Sequence, residues 1–111
     1  MISLTPDELA KVQAILARLL PDREVFAFGS RATGRAREFS DLDLAVMGDE
    51  PLMPPVRTAL REAFAGSTLP FRVDIVDWCE AGEPFRAAVG DRLERISPAA
   101  PPSWRGPETT A

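Results

Sequence analysis

Two aspartates one residue apart, Asp41-Leu42-Asp43, open an apolar run, and a Gly29-Ser30 turn stands upstream of them at the end of another. A third aspartate, Asp74, lies in a later alternating segment. Carboxylates on one face of a strand repel each other unless something binds between them, and three brought close would push one another's pKa upward. A divalent cation relieves that conflict. Magnesium takes a few carboxylate oxygens from a protein and keeps other positions for water and substrate phosphates, so Asp41, Asp43 and Asp74 could share two ions with a nucleoside triphosphate. Gly29 lets the backbone pass close to a ligand, Ser30 offers a hydroxyl and an N–H, and Arg31 adds a permanent positive charge. Taken singly, each feature has an ordinary structural reading. Gly29-Ser30 is a common turn, Asp41 and Asp43 suit a solvated strand face, and Arg35 and Arg37, which with Arg31 could bind phosphate or a partner, equally suit a solvated loop. Trp78 and Cys79 fit a core better than chemistry.

The elements that must position these groups can be read from periodicity. Thr5-Pro6-Asp7-Glu8 is a capping box with proline at the first helical position, and Leu9, Val12, Leu16, Leu19 and Leu20 follow at helical spacing up to Pro21. Strands are expected over residues 24–28, 42–47 and 71–76. In the second, Leu42, Leu44 and Val46 alternate with Asp41, Asp43 and Ala45; in the third, Phe71, Val73 and Ile75 alternate with Arg72, Asp74 and Val76. A second helix carries Val56, Ala59, Leu60, Ala63 and Phe64 and ends by Gly66. A last helix is expected over 84–96, with Phe85, Ala88, Val89 and Ile96 as its apolar stripe. Helices and strands in this order pack as a small mixed sheet flanked by helices, an α/β (α+β) domain. If the strands over 42–47 and 71–76 are neighbours, Asp74 comes beside Asp41 and Asp43.

The chain of 111 residues suits one domain, with residues 1–96 as that domain. Residues 97–111 hold four of the eleven prolines and little periodicity, and are expected to be disordered. A net charge of −4 argues against a broad grip on a nucleic-acid backbone, so no direct DNA binding is expected. The basic residues are twelve arginines and one lysine, a bias that suits bidentate phosphate contacts and equally reflects genome composition. With no histidine and one cysteine, Cys79, neither a zinc site nor an internal disulfide is expected. No run is apolar enough to span a bilayer and the N-terminus lacks a secretory layout, so a cytoplasmic location is expected.

Gly29-Ser30, ten residues, then Asp41-Leu42-Asp43, with a third acid in the "VDIVDW" segment from residue 73, resembles the minimal nucleotidyltransferases of the DNA-polymerase-beta-like superfamily. The resemblance covers roughly residues 10–96. It implies the polymerase-beta-like fold, two magnesium ions held by Asp41 and Asp43, with Asp74 completing the inner site and helping to deprotonate the attacking hydroxyl, and ATP held at Gly29, Ser30 and Arg31. Thr33 departs from the arginine that many members carry. Minimal members commonly resemble the antitoxin half of a pair whose other half is a HEPN ribonuclease, and the implied reaction is transfer of AMP to a tyrosine of that toxin. Two alternatives stay open: a stoichiometric toxin-binding antitoxin without turnover, and a small-molecule adenylyltransferase acting on an antibiotic. The nucleotide preference, the oligomeric state and the number of nucleotides transferred are not legible in the sequence.

Overall fold

The computed structural model describes residues 3–29 and 41–97. The chain begins with a helix, α1 (Pro6–Leu19), whose first turn is closed as the sequence requires: Glu8 N–H donates to Thr5 Oγ1 at 3.1 Å and Thr5 N–H to Glu8 Oε1 at 3.0 Å. Two strands follow, β1 (Val25–Phe28) and β2 (Leu42–Val46), then α2 (Pro54–Ala65), which starts on two prolines. After β3 (Val73–Asp77) come a single 3₁₀ turn, α3 (Glu83–Val89), a second 3₁₀ turn and β4 (Glu94–Ser97).

Among the described residues the strands form one sheet in the order β3-β2-β1-β4. β1 runs antiparallel to both β2 and β4, whereas β2 and β3 are parallel, so the sheet is mixed as expected. Its two faces follow from the two-residue period of strands. Val25 and Ala27 of β1 and Leu42, Leu44 and Val46 of β2 are buried together with Val12, Leu16, Leu60 and Phe64 of α1 and α2, which is the core. Phe28, Asp43 and Asp74 lie on the other face, where the Phe85 ring of α3 meets Phe28 edge-on at a centroid separation of 5.3 Å. The sheet therefore separates a helical core from the face that carries the acids.

The expected helix over 84–96 is corrected. It stops at Val89, and residues 94–97 are a strand. Gly90 ends the helix, Ala88 is exposed, and Ile96 reaches the core from the sheet. Val25 opposes Ser97 while Phe26 opposes Arg95, so Ile96 is an extra residue in a bulge, and its carbonyl accepts a hydrogen bond from Gln13 Nε2 of α1 at 3.0 Å. The outer edge of β1 would otherwise stand unpaired, and that demand outweighs the helical pattern. Ser97, expected in the tail, is buried in this strand; residues 98–111 lie outside the described residues. No helix among the described residues is long and apolar enough to cross a membrane.

Candidate active site

The site is assembled by strand register. Phe28, the last residue of β1, opposes Asp43 of β2, and Asp43 opposes Asp74 of β3 in the parallel ladder. Asp41, two residues before Asp43, points to the same face. The structure thus brings together the three acids singled out in the sequence, on adjacent strands of one face.

Burial and the neighbouring charges act together on one carboxyl. Asp43 has its pKa raised above the ordinary 3.8, first by burial and then by the charges of Asp74 and Asp41. Asp41 has a cationic neighbour, Arg72, at 3.9 Å, but both side chains are well exposed and the pair offsets little.

Gly29 follows β1 with φ of +80°, a conformation that L side chains rarely adopt. A Cβ built on it would lie 2.5 Å from Asp43 Oδ2. The backbone at the end of β1 therefore passes directly over the carboxylate, and only glycine permits that approach. Ser30 and Arg31, expected beside Gly29 as triphosphate contacts, lie outside the described residues, as do Thr33, Arg35 and Arg37.

Among the described residues no group of three His, Cys, Asp or Glu side chains is placed to hold a metal ion. Magnesium does not require one, because it is commonly held by one or two carboxylates plus substrate phosphates and water. An all-oxygen donor set, a carboxyl destabilised by burial and by its acidic neighbours, and a backbone cleared of Cβ suit that ion, which Asp43 would hold with Asp41 or Asp74 as a second carboxylate.

Asp77, on the same strand as Asp74 but three residues on, points to the opposite face and is buried. Its Oδ1 accepts from Leu52 N–H at 3.1 Å and its Oδ2 pairs with Arg57 of α2. It ties α2 to β3. Trp78 is half-buried, with its ring 6.3 Å from that of Phe85, in keeping with a packing role. The sequence reading missed a cavity of about 500 Å³ beside the acids, walled by Phe28, Val76 and Phe85 and bordered by Asp43, Asp74 and Arg61. The alternation of Phe26 and Phe28 with Val25 and Ala27 was the available signal for Phe28. Nothing in the sequence singled out Arg61.

An acidic face of this kind, passed closely by a glycine turn, could hold a metal-bound phosphate. Residues 9–96 match the nucleotidyltransferase domain family, and the chain belongs to that family and is a nucleotidyltransferase. It is 48% identical over 88 residues to the probable protein adenylyltransferase MntA of Haemophilus influenzae, covering 79% of this chain and 77% of that protein. The fold resembles that of a toxin–antitoxin crystal structure with AMP-PNP, with a TM-score of 0.66 and 27% identity over 79% of this chain and 71% of that one. A toxin–antitoxin MntA-HpeT mutant with two aspartates exchanged for glutamate matches with a TM-score of 0.65 and 25% identity, over 79% and 71% of the two chains. A further MntA-HpeT mutant, with a tyrosine exchanged for alanine, matches with a TM-score of 0.62 and 26% identity, over 84% and 72%.

Proposed function

We propose that this chain is a cytoplasmic antitoxin that transfers AMP from ATP to a tyrosine hydroxyl of a cognate HEPN-type ribonuclease toxin encoded nearby. The observation that carries the reading is the register pairing of Asp43 with Asp74 beneath the Gly29 turn. The similarity to an adenylyltransferase and to toxin–antitoxin complexes, one of them with an ATP analogue, supports the choice of nucleotide and of partner. Three crowded acids also favour turnover over a purely stoichiometric binder, which gains nothing from their repulsion.

In this reading Asp41 and Asp43 would hold two magnesium ions, and Asp74 would complete the inner site. When bound, the ions neutralise triphosphate charge and favour the departure of pyrophosphate. Gly29, with Ser30 and Arg31, seats the triphosphate against the end of β1. The acceptor oxygen attacks the α-phosphorus, its proton passes to Asp74, and the bond to the β-phosphate oxygen breaks. Holding the reactants in line supplies much of the rate.

The test is to mix the chain with the toxin from the neighbouring gene, magnesium and labelled ATP, and to locate AMP by mass spectrometry. Label on a tyrosine is expected, lost in Asp41→Asn, Asp43→Asn and Asp74→Asn together with toxin inhibition. Inhibition that survives in a triple variant transferring nothing would favour the stoichiometric antitoxin instead.

A further inference from the structure

β3 has a neighbour only on its β2 side among the described strands, so its other edge is free and runs beside α2. Part of this edge is already covered. Arg57 donates to the Ile75 carbonyl at 3.3 Å while pairing with the buried Asp77, which occupies the C-terminal half. Two cavities of about 470 and 500 Å³ open along this edge, the second reaching as far as Arg57 and Val76. The first has apolar walls of Phe64, Leu69 and Phe71, and the second has Val76 and Phe85. Arg61 and Asp74 border both.

Arg61 stands one helical turn beyond Arg57, on the same stripe of α2. Arg57 is neutralised by Asp77, whereas Arg61 is exposed and has no ion-pair partner among the described residues. A guanidinium without an ion-pair partner among the described residues, set between two apolar hollows and beside Asp74, suits a protein ligand that brings one carboxylate and apolar side chains.

The order of the strands sets the side from which an acceptor would approach the acids. Phosphoryl transfer keeps the attacking and leaving oxygens roughly in line. Gly29 lies at the β1 side of the acids, so pyrophosphate leaves toward β1 and the attacking hydroxyl enters from the β3 side. Resting on the transferase reading above, we propose that the cleft between α2 and the free edge of β3 seats the acceptor polypeptide, and that Arg61 positions it by binding an acidic side chain near the acceptor hydroxyl.

The experiment compares the parent with Arg61→Glu and Arg61→Lys, using the purified toxin as probe. Three quantities are read: the melting shift with ATP and magnesium, the Kd for the toxin without nucleotide, and the KM for the toxin in AMP transfer. Arg61→Glu should raise both toxin constants about tenfold or more, with Arg61→Lys between it and the parent and the ATP shift kept in both. An unchanged toxin Kd overturns the proposal. So does an ATP shift lost in step with toxin affinity, which would assign Arg61 to the nucleotide. If the parent transfers no AMP but its toxin Kd still depends on Arg61, the transferase reading falls and the docking cleft stands. Should the parent transfer AMP and Arg61→Glu match it in every constant, the cleft falls and the transferase stands.

Discussion

Gly29 and Asp43 occupy one space: a methyl group on the first would lie 2.5 Å from a carboxylate oxygen of the second. Two costs follow for Gly29→Ala. The left-handed conformation at φ of +80° disfavours any Cβ by about 1–2 kcal/mol, and the Asp43 carboxylate must move. The melting temperature should fall by about 4 °C or more. The stabilisation by ATP with magnesium should fall as well, because the displaced carboxylate is the one proposed to hold the ions. A variant that melts lower but keeps the full ATP shift would separate the turn from the site.

The burial of Asp43, together with the charges of Asp74 and Asp41, predicts a pH dependence with a definite sign. The carboxyl titrates above 3.8 when folded and near that value when unfolded, so between the two the folded state holds the extra proton. Stability from this group is therefore greatest below the window and is lost as pH rises through the raised folded-state pKa. Asp43→Asn removes the repulsion at neutral pH. It should melt above the parent without ligand, lack that part of the parent's acid-side slope, and lose the ATP-dependent shift. Parallel pH profiles for the two proteins would mean that neither burial nor the neighbouring acids raise the Asp43 pKa.

The legible part of this molecule is the part in which one local rule acts alone. Thr5 and Glu8 cap a helix with their own side chains, and the alternation around Asp43 and Asp74 sorts each strand into a core side and an acid side. The pairing of Asp43 with Asp74 could be anticipated because both strands had to bury their apolar faces under the same helices. β4 was illegible for the opposite reason. Residues 94–97 are a strand because β1 lacks a partner on that side, and no window of local sequence records that need. Arg61 was equally hidden, since its position matters only once α2 lies along β3.

The strand at the end of the domain carries its own test. Ile96 is buried in the core that α1 and α2 share. Removing its side chain leaves a cavity where the sheet meets α1, so Ile96→Ala should cost about 2–5 kcal/mol. Thermal unfolding should show a fall of about 10 °C or more. Gln13→Ala removes the bond to the Ile96 carbonyl and should cost about 0.5–1.5 kcal/mol. A near-neutral Ile96→Ala would show that Ile96 does not reach the core that α1 and α2 share.

The Arg57–Asp77 pair should behave differently from the acids three residues away. Asp77 is 4% exposed and has two partners, the Arg57 guanidinium and Leu52 N–H, whereas the Arg57 side chain is 31% exposed and also bonds the Ile75 carbonyl. Removing Arg57 strands a carboxylate in the core, while removing Asp77 leaves a guanidinium that can still reach water. Arg57→Ala should therefore be the more damaging change, at about 3–5 kcal/mol, and Asp77→Ala should fall toward the lower end of that range or beneath it. Asp77→Asn keeps an acceptor for Leu52 N–H and should be milder still. Chemical denaturation of the three variants would rank them. None should remove the ATP-dependent melting shift while the protein is folded, because Asp77 points away from the acid face. Loss of that shift in folded Asp77→Asn would place Asp77 in the site and reverse the assignment of the two faces of β3.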